Sequence, residues 1–188
     1  GIAAAEREDV FPTVRKAESL LLPVNLAATL RESAAFPLVR IVHSPDVFLP
    51  LVLSGEILHS DGSVLELELV LTGSDGRELF RRAYRDEAVA EDYRGVDDDT
   101  SRGGSVEPFA DLYRAVANDL VRVLASLGEA ELAELERLAL MRFGAALSPA
   151  TFARYLDARP DGRFGLAGFA AADDAMLARL DRLLRQDE

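Results

Sequence analysis

The chain of 188 residues contains no cysteine. That absence excludes disulfides, thiolate nucleophiles and every zinc site built on thiolates. Lysine is almost missing too: Lys16 is the only one, and the other twenty basic residues are arginines. Positive charge is scarce overall, with 21 Lys and Arg against 33 Asp and Glu, for a net charge of −12. A nucleic-acid partner is disfavoured, because each phosphate contact needs a Lys or Arg. A polybasic membrane patch is disfavoured for the same reason. No apolar run approaches the ~18 residues of a spanning helix. The first residue is Gly1 rather than Met, which leads us to expect a processed or trimmed chain.

What is present is enough for a well-cored globular domain, with 49% apolar residues. The arginine bias, together with the many Ala, Leu and Asp, matches a GC-rich bacterial genome more than a charge requirement. The most informative stretch runs from Leu51 to Arg85. It reads as a three-stranded antiparallel meander with turns at Asp61-Gly62 and Asp75-Gly76, because Gly accepts positive φ without a Cβ clash.

Side-chain pattern predicts the register, since a one-residue slip exchanges the two faces of a strand. A three-residue loop Ser60-Asp61-Gly62 pairs Ile57 with Leu65, Leu53 with Leu69 and Leu51 with Leu71. It gathers Leu51, Leu53, Ile57, Leu65, Leu67, Leu69 and Leu71 on one face, with Glu56, Glu66 and Glu68 on the other. A two-residue Asp75-Gly76 loop then adds Phe80 and Tyr84 to the leucine face. The three-residue alternative would bring Arg81 and Arg85 there instead.

Around the meander, residues 12–33 read as a helix with Ala17, Leu20, Leu21, Val24, Ala28 and Leu30 inward. Pro23 predicts either a kink or a fresh helix start. Residues 38–43 are β-branched enough for a strand. Residues 86–106 read as a flexible acidic loop. Pro108 opens the best helix, with Phe109, Leu112, Tyr113, Val116, Leu120, Val123, Leu124 and Leu127 inward and Asp111, Arg114, Asp119 and Arg122 outward. Burying that stripe contributes on the order of 10 kcal/mol before entropy is subtracted. Gly128 ends this helix. A second, Glu129 to Leu147, places Leu132, Leu135, Leu138, Ala139 and Phe143 inward. Ser148-Pro149 opens a short helix to Leu156. Residues 157–171 read as a loop, and Asp173–Gln186 as a final helix around Met176, Leu177, Leu180 and Leu184.

Few constellations suggest chemistry. His43 and His59 could join a carboxylate on a metal, but they have no motif spacing and the plainer reading is a strand residue and a turn residue. Glu91, Asp92 and Asp97-Asp98-Asp99 lack the alternating ligands and glycine of a calcium loop, which leaves a solvated charge run. Glu56, Glu66 and Glu68 offer the paired carboxylates that glycoside hydrolysis uses, yet alternating glutamates also keep any exposed sheet face wet. Gly103-Gly104-Ser105 lacks the lysine and spacing of a phosphate loop. Ser54-Gly55 and Ser148-Pro149 form no nucleophile elbow. We assign no catalytic, cofactor-binding or metal residue and no cofactor.

The order helix, strand, long meander, helix carries a resemblance, through Leu53-Ser54-Gly55-Glu56-Ile57, Asp61-Gly62 and Thr72-Gly73-Ser74-Asp75-Gly76-Arg77. It resembles the small α/β domain of the TolB amino-terminal part and of CsgG- and LpoB-type envelope lipoproteins. The matching pieces are Leu26–Val42, Leu53–Ile57, Leu69–Leu79 and Phe109–Leu120, within about residues 17–127. The family's first strand has no counterpart in residues 1–16, and the segment after Gly128 is extra. The resemblance implies a non-enzymatic accessory of the bacterial cell envelope, periplasmic or anchored at the outer membrane by a lipid upstream of these residues. Its implied partners are envelope proteins or further copies of itself, and no site residue transfers.

The expected fold class is therefore α+β: an antiparallel meander sheet with helices packed on one face, plus a carboxy-terminal helical extension. The expected division is 10–127 for the α/β domain, including the acidic loop 86–106, and 128–188 for the extension. That loop is the favoured contact surface, because binding groups concentrate on loops held by a rigid scaffold. A glycan- or peptidoglycan-acting enzyme using a Glu/Asp pair, or a ring-forming subunit, are the alternatives.

Overall fold

The computed structural model describes residues 11–44, 47–88, 107–169 and 175–186, without the side chains of 11–20 and 184–186. The element order is α1 (Phe11–Glu32), β1 (Leu51–Ser60), β2 (Val64–Gly73), β3 (Glu78–Glu87), α2 (Ala110–Leu147), α3 (Pro149–Phe152), β4 (Leu156–Ala158), β5 (Phe164–Leu166) and α4 (Ala175–Gln186). A 3₁₀ turn, Ala153–Tyr155, links α3 to β4. The fold is α+β, with a meander sheet ordered β1-β2-β3 and a separate β4-β5 hairpin. Among the described residues, no helix is long and apolar enough to cross a membrane.

The described residues divide into two compact units. The first falls within Gly1–His43, Gly55–Leu69 and Arg82–Arg122, the second within Ser44–Ser54, Val70–Arg81 and Val123–Glu188. Each meander strand contributes to both units, and so does α2.

In the first unit, Leu65, Leu67 and Leu69 of β2 are buried together with Leu112, Tyr113, Val116, Ala117 and Leu120 of α2. Alternation along β2 is complete, every second residue being buried, as a strand with one dry face requires. Helix α1 adds Leu26, Ala27 and Leu30. Leu30 is inward as expected, but the rest of the expected face is not, because Leu21 and Val24 are more than two-fifths exposed and Ala28 is exposed as well. Residues 20–30 are apolar nearly all round, so periodicity does not choose a face and packing does. Asn25, beside the buried stripe, donates Nδ2–H to Glu107 Oε2 at 2.7 Å. The helix continues through Pro23 rather than restarting there.

Residues 38–43 form no strand. The Val39 carbonyl accepts from Arg31 Nη2 at 2.8 Å, while Leu38, Ile41 and Val42 are exposed. Strand propensity is realised only against a neighbouring strand, and Pro37 denies the segment a backbone donor at its start.

Both hairpin turns differ from expectation in detail. The first loop is residues 61–63, one position later than predicted. Accordingly Ser74 N–H donates to the Pro50 carbonyl at 2.8 Å, and Gly55 lies against Leu69. The β1–β2 pairing is thus two residues away from the expected one. An even shift conserves the faces, so the leucine face stands.

At the second turn, Gly73 N–H donates to the Arg77 carbonyl and Gly76 N–H to the Gly73 carbonyl, each at 2.9 Å. Gly76 takes φ 80°. This is the three-residue closure, not the two-residue one. Yet Tyr84 is buried and Arg81 and Arg85 are exposed, as the two-residue register required. Strand β3 therefore takes up one extra residue after the turn, where neighbours Leu79 and Phe80 are both half-buried. β3 also runs to Glu87, so residues 86 and 87 belong to a strand and not to the loop. Asp86 Oδ2 accepts from Leu112 N–H at 3.3 Å, satisfying an N–H left without a partner in the first turn of α2.

In the second unit, α2 is interrupted at Gly128, which takes φ 74° and ψ 164°. Beyond it Leu135, Leu138, Ala139 and Met141 are buried, with Leu132 and Phe143 half-buried. Met141, Phe152 and Leu180 form the centre of a core that also takes in Phe143, Leu156, Leu166 and Leu177. The loop expected over 157–171 contains a small hairpin, with Leu156 opposite Leu166 and Ala158 opposite Phe164. Phe164 N–H in turn donates to the Asp75 carbonyl at 2.9 Å. Three-residue strands fall below the length at which alternation is visible in sequence.

Candidate functional site

Among the described residues the two histidines do not converge on a carboxylate cluster, whereas the β1–β2 register sets Glu56 opposite Glu68 on the wet face. His43 is exposed, and His59 Nε2 lies 3.2 Å from Asp61 Oδ2 at the first turn. No group of three metal-ligating side chains occurs among the described residues. Glu66 on the wet face accepts from Arg85 Nη1, which shares its other nitrogen with Glu87 at 2.8 Å. Glu56 is exposed. The acidic residues 91–99 and Gly103-Gly104-Ser105 lie outside the described residues.

Two features escaped sequence reasoning. The first is Asp119, assigned to the outer face of α2 but only 8% exposed. It accepts from Tyr84 Oη at 2.8 Å, Arg82 Nη1 at 2.6 Å and Arg122 Nη1 at 2.5 Å. Burial, and then the hydrogen bond to Asp119, push the Tyr84 phenol above its usual range. Three donors on one carboxylate tie β3 to α2, with the phenol and the carboxylate buried and the two guanidiniums exposed. The i, i+3 spacing of Asp119 and Arg122 was its only trace in the sequence.

The second is the contrast between the outer strands of the sheet. In the order β1-β2-β3 both β1 and β3 are edges. β3 carries Glu78, Arg81, Arg82, Arg85, Asp86 and Glu87, the charges that protect an edge from pairing with another chain. β1 carries a single charged side chain, Glu56. Within the first unit its stretch Gly55–Ser60 exposes Leu58 at 47%. Among the described residues no strand pairs with the outer side of β1. The same unit exposes Leu21, Val24, Leu38, Ile41 and Val42. Singly scattered apolar residues are ordinary, so it is the nearly uncharged edge of β1, and not their number, that marks this unit.

The second unit holds a groove of about 560 Å³ lined by the helix residues Glu131, Glu134, Leu135 and Leu138 and by Asp75, Arg77, Arg159, Arg163, Phe164 and Gly165. Arg77 spans Asp75 and Glu131, and those two carboxylates hold its guanidinium all the more firmly charged. Arg142 lies 4.4 Å over the Phe164 ring and donates Nη1–H to the Ser74 carbonyl at 2.7 Å.

Fold and surface together define an α+β domain with an unprotected edge strand. Compared with protein families, curated proteins and solved structures, the chain gives no match to any of them.

Proposed function

We propose that this chain is a non-enzymatic protein-interaction module that receives an extended segment of its partner along the outer side of β1. The observation that carries the reading is the charge asymmetry of the two sheet edges: β3 is guarded and β1 is open. An open edge supplies backbone N–H and C=O groups for strand addition, and Leu58 supplies side-chain contact beside them. The resemblance to TolB amino-terminal and CsgG- or LpoB-type domains supports placing the module in the bacterial cell envelope, with envelope proteins as partners. The same edge also favours pairing between copies of the chain, the ring-subunit reading.

A photo-crosslinking residue at position 58, with one at position 81 on the guarded edge as control, tests this in cells making the protein. Adducts with an envelope-fraction protein from position 58 alone support the proposal. Adducts only with the chain itself, confirmed by light scattering, select self-assembly. Equal yields from both positions, or none from position 58, overturn the strand-addition reading.

A further inference from the structure

The groove in the second unit is lined by three arginines, Arg77, Arg159 and Arg163. Arg77 is balanced by Asp75 and Glu131. Arg163 is half-buried in the groove wall and its guanidinium has no partner among the described residues. Arg159 makes one contact, Nε to Asp157 Oδ2, at a long 3.5 Å. The arginines sit at the two ends of the turn that joins β4 to β5, where Arg159 N–H donates to the Arg163 carbonyl at 2.8 Å. Their spacing is therefore set by backbone. Residues paired across a hairpin send their side chains to the same face, and two guanidiniums on one face suit a planar anion, in a chain whose net charge of −12 would otherwise repel one.

The rest of the lining narrows the ligand. Leu135, Leu138 and Phe164 are apolar. Glu134, on the helix wall, is an acceptor with no partner among the described residues. A site combining a cationic recess, an apolar floor and a free acceptor fits a molecule with a carboxylate, an apolar side chain and an N–H donor. Its volume of about 560 Å³ lies within the ~300–1,000 Å³ of ligand pockets.

We infer that this groove binds the carboxy-terminal end of an apolar peptide, with Arg159 and Arg163 taking the terminal carboxylate and Glu134 a peptide N–H. A simple fatty acid would satisfy the arginines and the floor but leave Glu134 unmet. The inference is separate from strand addition on β1 and survives its failure.

Calorimetry and amide NMR on the intact chain provide the test, with acetyl-Leu-Leu, its carboxy-terminal amide and hexanoate as probes. The acid should bind saturably and shift the Gly165 and Ala130 amides, and the amide form should bind at least about tenfold more weakly. Arg163→Gln and Arg159→Gln should each weaken the acid by a similar factor, and Glu134→Gln should lessen its advantage over hexanoate. Arg159 is exposed and Arg163 half-buried on the hairpin, and an unchanged circular dichroism spectrum certifies each variant. Equal binding of acid and amide, hexanoate as tight as the peptide, insensitivity to Arg163→Gln, or no saturable binding would each overturn the inference.

Discussion

Tyr84 on β3 and Asp119 on α2 share a 2.8 Å hydrogen bond inside the first unit, between side chains that are both more than nine-tenths buried. Arg82 and Arg122 reach the same carboxylate from the surface. Those two arginines are more than half exposed, so they rehydrate when Asp119 is removed, whereas the Tyr84 hydroxyl does not. Tyr84→Phe is expected to cost about 1–2 kcal/mol of unfolding free energy. Asp119→Ala should cost about 2–4 kcal/mol, because it strands a buried hydroxyl. Urea titration of both variants and of the double variant checks this. The double variant should lose less than the sum of the two.

The same pair makes a pH prediction. Burial, followed by the bond to Asp119, raises the Tyr84 phenol above its unfolded value of ~10. A raised folded value means that the contribution is fully present below about pH 10 and is lost as pH rises through the folded value. The stability gap between the chain and Tyr84→Phe should be flat from neutrality to about pH 10 and close above it. Difference absorbance between the two proteins should show a phenol ionising above the ordinary range.

Asp61 behaves oppositely at the first turn. Its Oδ1 accepts from Val64 N–H and Ser63 Oγ at 2.8 Å and from Ser63 N–H at 2.9 Å. Those bonds, the Val64 N–H foremost, hold the carboxyl well below the usual carboxylate range. A lowered folded value means that the contribution is present above the unfolded value, ~3.9, and is lost as pH falls through the folded one. Asp61→Ala should lower the melting temperature by a constant amount above about pH 5, and the gap should narrow below about pH 4. A gap independent of pH would assign the effect of the substitution to backbone entropy instead.

How much of this was legible beforehand follows from what each segment needs. The leucine face of β2 was readable because Glu66 and Glu68 separate Leu65, Leu67 and Leu69, and a two-residue register shift conserves that parity. Asp75-Gly76 marked its turn, but the slip in β3 was invisible, because both turn types use the same residues. Asp119 was misplaced because helical period alone put it outward, whereas its phenol partner and one of its two guanidinium partners come from a strand 35 or more residues away in sequence. Residues 38–43 have the composition of a strand, and among the described residues no strand pairs with them. The unguarded edge of β1 required the strand order, and the arginine recess required a hairpin too short to leave a pattern.

Two glycines in the helical part of the second unit should respond for opposite reasons. Gly128 has open space around its Cβ position, but its φ of 74° and ψ of 164° belong to a region that is essentially closed to other residues. Gly128→Ala should cost about 1–3 kcal/mol through the backbone alone. Gly144 lies in a regular stretch of α2, where replacing glycine by alanine ordinarily stabilises by up to about 1 kcal/mol. A Cβ there would come within 2.9 Å of both Phe152 Cγ and Leu180 Cδ1. The leucine methyl can swing aside, but the root of the Phe152 ring sits in the centre of the core with Met141. Gly144→Ala should therefore be net destabilising by about 1–2 kcal/mol. Pairing it with Phe152→Leu separates the two terms. If the clash is the cause, Gly144→Ala should cost less in the Phe152→Leu background than alone, whereas an unchanged cost would place the effect in the helix backbone.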